Sequence, residues 1–359
     1  MAVFEGERLV EGPCPLLIAE RSGEANKPPV VFFPGALHTA RIGYGLPHDR
    51  PEDFVGHWLG EAGHPFVAVS YPVAVGDPAF ENVDPALQLD QLADAAAAAV
   101  GEILDRRGWH RNVIVAAWSA LGNIAPRLRT ALTDVGVELG TFVSLAATPP
   151  LPNLILGSTD ASTATVGGAE HYTAAGLLRH TSLRSESFVA ELDRIDGDLG
   201  RTVVARDDYR THHMGDMPLE LFPGLEAVRH GDAARIEHEG PLAISNGAAW
   251  AAYPLCAAVW PTLRSDQRHA LTDRHNWGMV NANALTWRVL RDAPDVSDAV
   301  WDRVLDVSHR LASELHRRVH GGHLFFVGEP GARATAEAII DLDRQRADLE
   351  HTLLELIGA

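Results

Sequence analysis

Position 119 is where this chain could build a covalent nucleophile. The hexapeptide Ala117-Trp118-Ser119-Ala120-Leu121-Gly122 follows an apolar run, Asn112 to Ala117, and leads into a helical pattern from Gly122 to Leu132. A strand turning sharply into a helix on small neighbours presents a hydroxyl above the sheet, close to backbone N–H groups that can hold developing negative charge. Ser119 could also do no more than cap that helix. Among 18 histidines, His316, His320 and His323 recur at i, i+4 and i+7, a spacing that on one helix would aim three imidazoles at a metal. Gly321-Gly322 interrupts that helix and no His-Glu-x-x-His motif accompanies it, while His212-His213 reads as a solvated loop. No metal is expected at either group.

The elements that must position Ser119 alternate between strand and helix. A hairpin, Val3 to Val10 and Leu16 to Arg21, turns at Glu11-Gly12-Pro13. Short apolar runs rich in β-branched and aromatic residues follow at Val30 to Phe33, Pro65 to Tyr71, Asn112 to Ala117 and Thr141 to Ala146. Between them Asp90 to Arg107 places Leu92, Ala96, Ala99 and Ile103 on one helical face, with Gly108 as its stop. Such alternation implies a mostly parallel sheet covered by helices, with ligands gathering at the carboxyl ends of the strands. Beyond Pro149-Pro150 the strand signal fades. Ala284 to Leu290 reads either as a strand or as the end of a helix begun near Asn276. Asp298 to Leu315 is helical and leads into His316 to Val319. A last helix from Arg333 carries Ile339, Leu342, Leu349, Leu353 and Leu356 at helical spacing, long enough for its outer end to pack on a second copy of the chain.

Composition limits the partners. The 359 residues are 46% hydrophobic, enough for a sizeable core, and 30 Lys and Arg against 48 Asp and Glu give a net charge of -18. That balance argues against nucleic acid and anionic membranes and favours a neutral or apolar small molecule. Cys14 and Cys256 form neither a disulfide framework nor a ligand cluster, which suits a reducing cytoplasm, and the charged residues Glu5, Glu7 and Arg8 break the apolar stretch a signal peptide would need. The uncharged stretch Pro241 to Pro261 is interrupted by Ser245, Asn246, Gly247 and Pro254 and is alanine-rich, so buried helices or a pocket wall are expected there and not a membrane span.

On these residues the chain resembles the α/β-hydrolase superfamily, over the hairpin, the four runs up to Pro150, and the tail from about 316 to 340. The usual elbow, Gly-x-Ser-x-Gly, is met by Ala117 two places before the serine and departed from by Leu121 two places after it, with Gly122 one place later. A leucine there would crowd the helix against the strand. Phe33-Pro34-Gly35-Ala36 ends the first parallel run where the family usually has His-Gly, and the resemblance makes the backbone N–H groups of Ala36 and Ala120 the oxyanion hole; as a plain tetrapeptide it is also an ordinary Pro-Gly turn. It further implies that His323, behind Gly321-Gly322, is the general base, and that the acid is Asp295, 28 residues upstream, or Asp292. Asp295 could equally be a helix cap.

The expected architecture is therefore an α/β-hydrolase core over residues 1–150 and 276–359, with a mainly helical cap or lid over 151–275. His38, Tyr44, Trp118 and Trp250 are candidate walls of the substrate pocket. The expected activity is that of a serine hydrolase cleaving an ester, thioester or lactone of a bulky, uncharged molecule, with no cofactor. Acyl transfer, lyase or cyclising chemistry on the same fold, or a catalytically silent binding protein, remain as alternatives.

Overall fold

The computed structural model describes residues 3–150, 173, 176–180, 185–218, 221, 226–230, 233–237, 247, 249–292 and 295–357. Its centre is an eight-stranded sheet. The strands are β1 (Glu7–Val10), β2 (Leu16–Arg21), β3 (Val30–Phe33), β4 (Phe66–Ser70), β5 (Asn112–Trp118), β6 (Glu138–Leu145), β7 (Cys256–Pro261) and β8 (His316–Val319), in the spatial order β1-β2-β4-β3-β5-β6-β7-β8. β1 and β2 pair antiparallel, β2 lies antiparallel on β4, and every later neighbour is parallel. β3 and β4 are buried at every residue, which explains why they read as unbroken apolar runs: a parallel sheet has helices on its faces and no solvated side.

Helices α1 (Val55–Glu61), α2 (Leu89–Arg107), α3 (Ala125–Asp134), α4 (Ser185–Leu199), α5 (Gln267–Asp292), α6 (Asp298–Glu314) and α7 (Glu329–Ile357) complete the frame, α2 packing on α3 and α1 on α7. Gly108 ends α2 at φ 65, in the left-handed conformation where a side chain would be strained. On α7, Ile339, Leu342, Leu349 and Leu353 are buried, and Arg346 donates to Thr141 Oγ1 of β6 at 2.9 Å.

One segment differs from the sequence-based expectation, and a second falls to one of its two readings. Cys256–Pro261, within the stretch expected to be buried helix or pocket wall and within the insertion expected to run to 275, is instead a core strand. Its alanines carry little strand preference; β6 and β8 on either side decide it, Ala258 pairing with both Ser144 and His316. The core thus resumes by Cys256. Ala284 to Leu290 lies inside α5, whose buried Trp277, Val280, Asn281, Ala284 and Leu285 follow a helical stripe, leaving Trp287 52% exposed. Between β6 and β7 the described elements include α4, a strand pair, Glu226–His230 with Ala233–Glu237, and Gly215–Asp216, which pairs with Ala74–Val75, so this part is not helical alone. Most of 151–184, and Pro241 to Asn246, lie outside the described residues.

Register delivers the site. Phe33 of β3 stands beside Ala117 of β5, Trp118 beside Leu145 of β6, Val259 of β7 beside Leu145, and Pro261 beside Val319 of β8. The loops leaving five strands therefore emerge along one edge.

Candidate active site

Ser119 is the first residue after β5 and has φ 56, a left-handed conformation that costs a non-glycine residue of order 1–3 kcal/mol. Three features of the sequence hold it there. A Cβ on Gly35 would lie 2.8 Å from both Ser119 Cβ and the Trp118 ring, so only glycine lets the β3 loop press against the elbow. The Ser119 carbonyl accepts from the Thr148 N–H at 3.0 Å, and Asn123 Nδ2 donates to the Ala120 carbonyl at 2.8 Å. The chain then runs as a 3-10 turn, Ser119–Ile124, before α3 begins.

That 3-10 turn resolves the departure at Leu121. With three residues per turn, the residue returning to the serine's side is the third, not the second. Gly122 occupies that place: a Cβ on it would meet the Thr148 carbonyl oxygen at 2.5 Å and Ala147 Cβ at 2.9 Å. Leu121 turns into the core and is fully buried. The glycine that lets helix approach strand has moved one residue along with the turn.

His323 lies in the loop between β8 and α7, and its Nε2 accepts from Ser119 Oγ–H at 2.8 Å. Its Nδ1–H donates to Asp266 Oδ2 at 2.6 Å. The Gly321 carbonyl accepts from Thr262 and Leu263 N–H at 3.1 and 2.9 Å, stitching the loop after β7 to the loop after β8. Trp118 Nε1 donates to the His323 carbonyl at 3.0 Å. Asp266 ends a 3-10 turn, Arg264–Asp266, directly before α5, and is 6% exposed. Burial by itself would raise its carboxyl; the charge and hydrogen bond of His323, with His269 and Arg268 nearby, outweigh that and hold it down to about 2.

The acid partner is thus not where the sequence placed it. Asp295 is an exposed turn residue ahead of α6, which Ser297 caps, and Asp292 is the last residue of α5. Both α5 and α6 intervene between β7 and β8, so the partner of His323 stands 57 residues upstream. Asp266 was legible only through β7, whose alanine-rich sequence concealed it; the signal was a short apolar run ending at Pro261 with an acid just before a helix.

The hydrogen-bonded side chains follow along the chain as serine, aspartate and histidine, with the serine after β5, the aspartate after β7 and the histidine after the last strand, on a mostly parallel sheet with an antiparallel hairpin at one edge. The chain has the α/β-hydrolase fold. No family model matches the sequence. No curated protein matches it. Among solved structures it is similar to a hypothetical protein from Pseudomonas aeruginosa PAO1, at 14% identity and TM-score 0.42, covering 95% of this chain and 99% of that one. It is also similar to the thioesterase domain from the curacin biosynthetic pathway, at 11% identity and TM-score 0.40, covering 93% and 98%. A thermophilic esterase from Thermogutta terrifontis compares at 12% identity and TM-score 0.44, covering 95% and 98%.

In this hydrolase fold the surroundings of Ser119 are aromatic. The ring centroids of Trp118 and His323 are 5.2 Å apart, and Phe188 of α4 lies 5.9 Å from Trp118, 5.8 Å from His323 and 4.9 Å from His38. His38 is buried; its Nδ1–H donates to the Ala36 carbonyl at 2.7 Å and its Nε2 accepts from Tyr209 Oη–H at 2.7 Å. Burial lowers its pKa to about 4, so near neutrality it is uncharged. The loop after β3 is held further by Tyr71 Oη–H on the Gly35 carbonyl at 2.6 Å and by the Gly215 N–H on the Leu37 carbonyl at 2.9 Å.

Two expected wall residues lie elsewhere. Tyr44 donates to Glu7 Oε1 at 2.6 Å and lines a separate cavity of about 200 Å³ beside Phe4 and Arg21. Trp250 stacks on Tyr253 at 5.5 Å, next to α3 and α5. Their side chains turn to neighbours the sequence does not reveal. His213, read as part of a solvated loop, is fully buried and stacked on Tyr209 at 6.0 Å. His316 is buried in β8 and His320 approaches Thr262, so neither faces Ser119 alongside His323. The one imidazole and carboxylate group among the described residues compact enough for a cation is Asp266, His269 and His323, with ligand atoms within 4.8 Å of one another. Two of its members already bond each other. No helix among the described residues is long and apolar enough to cross a membrane.

Proposed function

We propose that the chain is a serine hydrolase that cleaves an ester, thioester or lactone of a bulky, uncharged small molecule through an acyl-enzyme on Ser119. The observation that carries this reading is the continuous relay from Ser119 Oγ through His323 to Asp266, at 2.8 and 2.6 Å. In the first half-reaction His323 Nε2 takes the Ser119 proton as Oγ attacks the acyl carbon, and Asp266 keeps the Nδ1 proton in place and stabilises the imidazolium. The imidazolium then protonates the leaving oxygen or sulfur. In the second half-reaction the same nitrogen takes a proton from water, whose oxygen displaces Ser119.

The oxyanion would be held by the N–H groups of Ala36 and Ala120. Supporting this, Gly35 sits against Ser119 with no room for a side chain, and the Ala36 carbonyl is turned to His38 Nδ1. Each such donor can contribute about 3 kcal/mol to the transition state. An uncharged substrate fits the uncharged aromatic cluster of Trp118, Phe188 and neutral His38 beside His323, and the overall charge of -18.

The test is labelling by a fluorophosphonate probe, with turnover of p-nitrophenyl esters, acyl thioesters and aryl lactones by the wild type and Ser119→Ala. Labelling at Ser119 with release of the free acid, both lost in Ser119→Ala, is the expected result. Labelling with turnover only when an alcohol, amine or thiol acceptor is supplied would assign acyl transfer. Absence of labelling would end the covalent reading.

A further inference from the structure

The loop that carries His323 begins with two glycines and must still keep Nε2 within hydrogen-bond reach of Ser119. Displacing a reacting group by about 1 Å can cost on the order of 100-fold in rate. Trp118 Nε1 holds the loop at the His323 carbonyl. The amide side is held by a residue from outside the core sheet.

We propose that Glu191, on the insertion helix α4, is a positioning residue for the proposed hydrolase: its carboxylate clamps the backbone of the histidine loop so that the imidazole stays aligned with Ser119. The inference rests on the serine-hydrolase reading above. Both carboxylate oxygens are engaged, Oε2 accepting from the His323 N–H at 2.9 Å and Oε1 from the Leu324 N–H at 2.9 Å. Two consecutive backbone amides donating to one carboxylate form a small anion nest. The clamp is buried, Glu191 being 8% exposed.

The glycine in front of the histidine belongs to the same device. A Cβ on Gly322 would stand 2.3 Å from Glu191 Oε1 and 2.5 Å from Ser265 Oγ, so the loop has been shaped to admit the carboxylate. One turn earlier on α4, three residues before Glu191, Phe188 lies over His323 and His38. One face of this helix therefore both walls the site and holds the base. A helix that served only to cover the site would need Phe188 but not a buried carboxylate on the amides of the catalytic loop.

The clamp is tested with Glu191→Gln, Glu191→Ala and Gly322→Ala, each checked for a native circular dichroism spectrum. The readouts are kcat, KM and the rate of fluorophosphonate labelling of Ser119. Loss of alignment falls on the chemical step: Glu191→Ala should lower kcat and the labelling rate together by about 30–100-fold with KM changed by less than about threefold, and Glu191→Gln, which keeps one acceptor, by about 5–10-fold. Gly322→Ala should lower both by roughly tenfold alone, yet by clearly less when Glu191 is already Ala, because only the Ser265 hydroxyl, which can rotate away, then stands against the new methyl group. Should Glu191→Ala fail to fold, Glu191→Gln and Gly322→Ala carry the same test.

Folded variants that label at the wild-type rate would overturn the clamp while leaving the hydrolase reading intact. So would a loss confined to KM, or additive losses in the double variant. A wild type that does not label at all would instead overturn the hydrolase reading.

Discussion

Replacing Asp266 by Asn separates the acid read from the structure from the one expected from sequence. Asp266 is held from its usual 3.8 down to about 2, with His323 the strongest influence opposing its burial. That shift of nearly two units corresponds to about 2.5 kcal/mol, at roughly 1.4 kcal/mol per unit. Asp266 Oδ2 accepts from His323 Nδ1–H at 2.6 Å, and a hydrogen bond to a charged group contributes about 1.5–3 kcal/mol, here to the imidazolium that forms as Ser119 loses its proton. Losing the charge alone should then cost up to about 100-fold in kcat. A second loss follows from the tautomer. Asn presents an N–H₂ to His323 Nδ1, turning that nitrogen into an acceptor and placing the ring proton on Nε2, which can no longer take the Ser119 proton; together the two effects should reach about 10³ to 10⁴-fold. The assay is kcat on an activated ester beside Asp295→Asn, which should stay within about twofold of the wild type because Asp295 is exposed and His323 Nδ1 is taken by Asp266. Retention of more than a tenth of the activity by Asp266→Asn, or an equal loss in Asp295→Asn, would refute the assignment.

At the elbow, Gly122→Ala should destabilise the fold by about 1–3 kcal/mol in urea unfolding and also slow labelling of Ser119, because its methyl group must displace the Thr148 carbonyl. Leu121→Ala should cost about 2–5 kcal/mol through the cavity it leaves, with labelling of the folded fraction retained. His38 has a folded pKa of about 4 against its usual 6.5, so the unfolded chain binds a proton that the fold excludes, and its share of stability falls as pH drops from about 6.5 to 4. The 2.5-unit gap is worth about 3 kcal/mol; urea unfolding at pH 7 and 4.5 should show a smaller pH dependence in His38→Gln than in the wild type, and equal dependences would contradict this. Glu7→Ala removes the buried carboxylate that Arg41 Nη2 meets at 2.7 Å and Nε at 2.8 Å, and should cost about 3–5 kcal/mol, read as a lowered urea midpoint.

The first half of the core was legible because its signals are local. β3, β4, β5 and β6 are buried runs within one residue or a few of the expected bounds, α2 stops at Gly108, and α6 starts beside a capping serine. Each follows from periodicity or terminal chemistry held in adjacent residues. Ser119 and His323 were legible for a related reason: the strand before each one and the small residues beside it mark a turn that exposes a side chain. The strand β7 was not, since Cys256-Ala257-Ala258 satisfies a helix or a strand equally and only pairing with β6 and β8 selects one.

The partner of His323 was hidden with β7, because the loop after the next-to-last strand delivers that carboxylate and two long helices separate it from the last strand. Glu191 was out of reach of any local pattern: its role depends on α4 crossing the histidine loop, a contact between residues 132 apart. The sequence by itself determined a parallel α/β frame with a serine at the end of β5 and a histidine after the last strand. Only the tertiary structure decided which carboxylate meets His323, that Gly122 takes over the close approach beside Leu121, and that Glu191 of α4 meets the amides of the histidine loop, since each depends on contacts between segments that no local spacing encodes.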